Sequence, residues 1–210
     1  MRWNLYGIRR DITVTPADLG EFEALNKEVN DLARNHPDFV SAVLLESAGY
    51  PGRFTRLSNW ESRGAARAFI RTPELAALAK RIQALSAPVQ PAEGYEVIDL
   101  VREPGQAGIA AINTWTVSPS KAEAFEASRK ALFQQRRKEV RAIVTQGLAR
   151  SLANPARYFV YISFLSEDDL TAYVTSPRMQ EFIRTQAYRE YADAPPTGEM
   201  LDMVLALVPA

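Results

Sequence analysis

Two arginines, Arg10 and Arg56, fall in stretches otherwise apolar enough to be β-strands. A strand's side chains alternate between its faces, so Phe54, Arg56, Ser58 and Trp60 share one face, and Arg10 shares one with Ile8 and Ile12. If both faces turn toward covering helices, two guanidinium groups sit in a partly dry place and need a carboxylate or an anionic ligand. If the register turns outward, they meet water or a structural salt bridge. Trp60 reads equally as a cavity wall or as core.

A second set lies about a hundred residues further on. Asn113 and Trp115 share a strand face, and Tyr158, Val160, Ile162 and Phe164 share another. This set is more apolar and aromatic, with Asn113 as a polar anchor in one reading; the aromatic cluster reads first as core. Asp99 and Asp202 hold equivalent late positions, where paired carboxylates could do acid–base work or make structural contacts. His36, before Pro37, is the only histidine and reads first as a turn residue. There is no cysteine, which removes disulfides, thiolate metal sites and cysteine nucleophiles together. No phosphate-binding glycine loop, serine-nucleophile motif or carboxylate–histidine metal motif is present.

The elements that position these residues occur twice. VTPADLGEFEAL from Val14 aligns with VSPSKAEAFEAS from Val117 at an offset of 103, and NWESRGAARAFIRTPEL aligns with SFLSEDDLTAYVTSPRM at 104. GYEVIDLV answers GEMLDMVL near the two ends, with Asp99 opposite Asp202. Each copy reads β-α-β-β-α-β. In the first, strands are expected near 4–14, 39–45, 54–60 and 95–101, with Gly49, Pro51 and Gly52 in a hairpin loop. Thr15 caps a helix that Pro16 opens, with Leu19, Phe22, Leu25, Val29 and Leu32 as its buried face. Ser62 starts a shorter helix and Thr72-Pro73 restarts it. In the second copy Ser118-Pro119 opens the first helix, Ser166 with Asp169 forms a capping box, and Ser176-Pro177 restarts the second, with Met179, Phe182 and Ile183 inward. Arg102 to Gly108 has linker composition, so the expected units are 1–104 and 105–210. Right-handed crossovers make each copy an antiparallel four-stranded sheet with helices on one face. The bare faces then need each other, giving an α+β barrel of two fused ferredoxin-like units within one chain.

Composition narrows the partners. The 210 residues are 47% hydrophobic and 24% charged, and 25 basic residues balance 25 acidic ones. No block of like charge marks a nucleic-acid or membrane footprint. Arg136, Arg137 and Lys138 read as a solvated helix end. The start, MRWNLYGIRRDITV, lacks a signal peptide's apolar core, and no 18-residue apolar run occurs, so a cytoplasmic location is expected.

Trp60-Glu61-Ser62, Ala68-Phe69 and Thr72-Pro73, echoed by Phe164-Leu165-Ser166, Ala172-Tyr173 and Ser176-Pro177, resemble the antibiotic biosynthesis monooxygenase family of the dimeric α+β barrel superfamily. The resemblance covers nearly the whole chain, once per half. It implies oxidation of aromatic polyketides without metal or flavin, degradation of haem, or oxidation of small quinol-like molecules. The asparagine of haem-degrading members matches Asn113 in the second half and is Arg10 in the first. Their tryptophan matches Trp60 and is Phe164 in the second half, and their histidine ligand matches nothing.

The expectation is therefore a cofactor-independent, monooxygenase-like enzyme for a small aromatic or polyketide-like substrate. Trp60, Arg10, Arg56 and Asn113 are its expected catalytic residues, and Ser58, Phe54, Trp115, Tyr158 and Phe164 its expected substrate contacts. No cofactor or metal is expected, and a monomer or homodimer is. The alternative is a non-catalytic small-ligand-binding or stress-response barrel. The arginines make the first half the expected polar site.

Overall fold

The computed structural model describes residues 5–87 and 91–207. The first copy runs β1 (Leu5–Thr13), α1 (Leu19–Arg34), β2 (Phe39–Ser47), β3 (Arg53–Trp60), α2 (Arg63–Ile70), α3 (Pro73–Leu85) and β4 (Glu93–Arg102). The second runs β5 (Ile109–Thr116), α4 (Ala122–Glu139), β6 (Ile143–Ser151), β7 (Arg157–Phe164), α5 (Glu167–Val174), α6 (Pro177–Arg184) and β8 (Thr197–Leu207). The hydrogen-bonded strand order, β1-β3-β2-β8-β5-β7-β6-β4, closes on itself, so two ferredoxin-like units form an α+β barrel. Contacts divide the chain into two compact units, residues up to Glu96 with those from Asp202, and Val97–Leu201. Among the described residues no helix is long and apolar enough to cross a membrane.

The capping signals act as their chemistry requires, with one difference. Ser62, Thr72, Ser166 and Ser176 each accept a hydrogen bond from the backbone N–H three residues on. Thr15-Pro16 and Ser118-Pro119 instead open single 3₁₀ turns, Pro16–Asp18 and Pro119–Lys121, and the α-helices begin after them. Thr15 spends its hydroxyl on the Asp18 carboxylate at 2.6 Å rather than on a backbone donor. In the β2–β3 hairpin Gly52 adopts φ +82°, and a Cβ there would meet the Val14 carbonyl at 2.5 Å.

The first unit is tightly filled. Phe22 and Phe54 pack with tilted rings 4.7 Å apart, and Trp60 packs on Phe69 at 4.8 Å and Phe39 at 5.2 Å. α3, 13 residues long, lays Leu78 against Leu25 and Val29 of α1. In the second unit the matching helix, α6, has eight residues and buries none of them. Met179 and Phe182 turn inward as expected but stay half-buried, Phe182 packing edge-on to Trp115 at 6.3 Å, whereas Ile183 remains 57% exposed. That short, uncovered helix leaves the space described next.

Candidate functional site

The second unit holds a cavity of about 770 Å³ between β5, β7, α4 and the α5–α6 pair. Alternation along the strands puts Asn113 and Trp115 of β5, and Val160, Ile162 and Phe164 of β7, in its wall. Leu132 of α4 and Met179 and Phe182 of α6 extend the apolar surface. Asn113 pairs in register with Val160. Its amide oxygen faces Gly198, where a Cβ would stand 2.9 Å away, so only glycine lets the chain pass here undisturbed.

Two arginines of α4 supply the charge. Arg129 lies over Trp115, Phe125 and Tyr191, with its guanidinium carbon 5.3, 5.4 and 5.8 Å from their ring centres. Arg136 lies over Tyr173 at 5.0 Å and is 8% exposed. Burial pushes both guanidinium groups below their ordinary pKa, and for Arg129 the like charge of Arg136 adds to this. Burial pushes the Tyr173 phenol up, and Arg136 opposes that rise. Neither arginine forms an ion pair among the described residues. Arg178 at the same wall is already held by Glu139 at 3.1 Å and Gln135 at 2.9 Å. Two buried donors, the Trp115 indole N–H and the Arg129 Nε–H, have no acceptor.

Of the expected site residues, Asn113, Trp115 and Phe164 meet at this cavity. Tyr158 does not: it is fully buried, and its hydroxyl donates to Glu126 at 2.9 Å beside Arg150. The residues expected in the first half pair with one another and with α1. Arg10 and Arg56 face each other in register, but Arg10 is exposed. Arg56 donates to the side-chain oxygens of Asn26 at 3.2 Å and Asn30 at 2.7 Å on α1. Burial and the neighbouring charge of Arg10 bring the Arg56 pKa down to about 10. Its side-chain partners are thus two neutral amides rather than a carboxylate. Trp60 donates to Ser58 at 3.1 Å, and Phe54 is core.

His36 stands edge-on to Trp60 at 5.4 Å, and its Nδ1 accepts the Asp38 backbone N–H at 3.3 Å, as a turn residue does. The only histidine is therefore outside the unit that holds this cavity. A histidine-ligated haem does not fit this wall. Asp99 is partly buried, which raises its pKa, and accepts the Leu100 N–H; it does not line the cavity.

Arg129 and Arg136 were missed. Arg136 is not the solvated helix end that its basic neighbours suggest; Arg137 does pair outward with Glu103, and Lys138 is exposed. The signal was in the period. Phe125, Arg129, Phe133 and Arg136 recur at helical spacing, so both arginines lie on the stripe that carries the buried phenylalanines.

An α+β barrel with an aromatic, cation-bearing cavity under one helix layer defines a small-molecule-binding class of protein. The model of the antibiotic biosynthesis monooxygenase family matches residues 6–81 and again 108–185, and the chain belongs to that family as a tandem duplication. Among solved structures, a candidate monooxygenase from Fusobacterium nucleatum superposes with TM-score 0.83 at 10% identity, over 99% of this chain and 96% of its own. A candidate monooxygenase from Lactobacillus acidophilus gives 0.81 at 10% identity, over 97% and 95%. An anthrone oxidase-like protein gives 0.66 at 15% identity, over 98% and 93%. These similarities show the fold. No curated protein sequence matches significantly.

Proposed function

We propose that the second unit is a cofactor-independent oxygenase site for a small aromatic or polyketide-like phenol. The observation that carries this reading is the pair of buried, acceptor-less donors, Trp115 Nε1–H and Arg129 Nε–H, in the wall of an aromatic cavity. Donors without acceptors are unfavourable until an oxyanion fills them. Arg129 lowers the pKa of a phenol placed there, and Asn113 offers an amide to a second ring oxygen. The apolar walls keep bulk water from the reacting carbon.

The substrate is its own reductant. The phenolate passes an electron to dioxygen, and the two radicals combine as a hydroperoxide at an activated ring CH₂. Loss of water leaves a carbonyl, so CH₂ + O₂ becomes C=O + H₂O with no outside electron donor. The chain's part is to hold the anion, orient it and exclude water, and preorganised donors of this kind contribute about 10²–10³ in rate each.

Oxygen uptake with 1,8-dihydroxyanthrone tests the reading. Uptake above uncatalysed autoxidation, falling about a hundredfold in Arg129→Met, is expected. Binding of the anthrone, seen as quenching of tryptophan fluorescence, without any uptake would instead assign the cavity to a non-catalytic binding protein.

A further inference from the structure

We propose that the ligand of the second-unit cavity is an aromatic acid whose carboxylate is read by Arg136, two helical turns along α4 from Arg129. This names the substrate class for the oxygenase site and rests on that reading's placement of the ligand, though not on turnover. Arg136 is 92% buried by its 8% exposure, yet pairs with no carboxylate among the described residues. The neighbouring cation, Arg178, has its own carboxylate in Glu139. Among the described residues Glu199 is the one carboxylate in the cavity lining, and no ion pair joins it to Arg136. The Tyr173 ring beneath Arg136 favours a cation but does not neutralise it. An unpaired, buried guanidinium presents a planar fork of donors that suits a carboxylate held by two parallel bonds.

The duplication supplies a comparison within the chain. At the offset of 103 that matches Phe22 with Phe125, Arg129 stands opposite Asn26 and Arg136 opposite Ala33. Ala33 is buried at 1% exposure in the filled unit. A guanidinium at that position therefore occurs only where the helix layer has been opened into a cavity. The two arginines are seven residues apart on one helix, about 10 Å along its axis at a rise of about 1.5 Å per residue. A phenolate at one cation and a carboxylate at the other describe a ligand with its polar groups at opposite ends of a fused-ring core.

The test is calorimetric titration of the full chain at pH 7.5 with 6-hydroxy-2-naphthoic acid and with its neutral amide, 6-hydroxy-2-naphthamide. The acid is expected to bind tighter than the amide by about tenfold or more, the worth of one charge-assisted contact. Arg136→Met should remove that preference, weakening the acid while the amide changes less than about threefold. Arg136→Lys, which keeps the charge and loses the fork, should fall between. Equal binding of acid and amide by the unaltered protein overturns the proposal without any variant having to fold. So does failure of both to bind, or an equal loss for both ligands in Arg136→Met. Acid-selective binding with no oxygen uptake from the anthrone would uphold the ligand class and sink the oxygenase reading. Uptake from the anthrone with no acid preference would do the reverse.

Discussion

Replacing Arg56 by leucine separates a structural arginine from a ligand-binding one. Its Nη1 and Nη2 donate to Asn26 and Asn30, whose side chains are only 1% and 5% exposed. Asn26 also donates its own amide to the Phe22 carbonyl, so it cannot turn away without breaking a second bond. Removing the guanidinium leaves two amide oxygens without donors, at about 1–3 kcal/mol each. Against this stands relief, because Arg56 is a half-buried cation facing Arg10. Taking the net as about 3 kcal/mol, and about 2–4 °C per kcal/mol for a chain of this length, Arg56→Leu should lower Tm by about 6–12 °C. Leucine at 26, 30 and 56 together should recover most of the loss, since exchanging all partners for apolar groups is close to neutral. Binding of the hydroxynaphthoic acid should stay within about twofold, because that ligand belongs to the other unit. Thermal unfolding and calorimetry read the two effects separately. An unchanged Tm with weakened acid binding would refute the reasoning and return the anion site to the first unit.

Two further outcomes follow from single contacts. Gly198→Ala puts a methyl group 2.9 Å from the Asn113 amide oxygen, a terminal atom free to swing away, so Tm should move little. Oxygen uptake should nevertheless fall about tenfold or more if Asn113 orients the ring, and unchanged uptake would remove Asn113 from the site. Burial raises the Tyr161 phenol to about 12, with Ser163 and Arg102 opposing the rise. A raised folded-state pKa means its contribution to stability is full below about pH 10 and is lost as pH rises through 12. Alkaline absorbance titration at about 295 nm should show one phenol ionising near pH 12 that Tyr161→Phe deletes; no change in that late step would contradict the assignment.

The architecture was legible because it rests on local chemistry written twice. Ser62, Thr72, Ser166 and Ser176 announce helix starts that any sequence context would respect, and the Phe22/Phe125 stripe fixes which faces turn inward. The β1–β3 register was left open by the sequence, and the structure sets Arg10 opposite Arg56. The location of the cavity was not legible, because it depends on what fails to be covered. A stripe of Met179, Phe182 and Ile183 has the same pattern whether it packs on a neighbour or fronts empty space. What distinguishes them is that α6 stops after eight residues where α3 continues for 13, and no periodicity records the missing turns.

The same blindness misplaced the charge. An arginine on a strand among apolar residues signals burial plainly, and Arg56 drew attention while its partners, Asn26 and Asn30, lay hidden in a helix. An arginine in a basic run at a helix end signals solvent just as plainly, and Arg136 is buried all the same. The paired copies resolve this once their contacts are compared. Where the first unit sets a strand cation against helix amides, the second has Val160 on the strand and Arg129 and Phe133 on the helix at the equivalent positions. The first arrangement satisfies its donors internally and closes the unit. The second leaves Arg129 and Trp115 with donors unmatched and the space beside them open. The two copies thus differ in one respect, internal pairing in the first and unmatched donors beside open volume in the second, and the latter is the arrangement that suits a bound ligand.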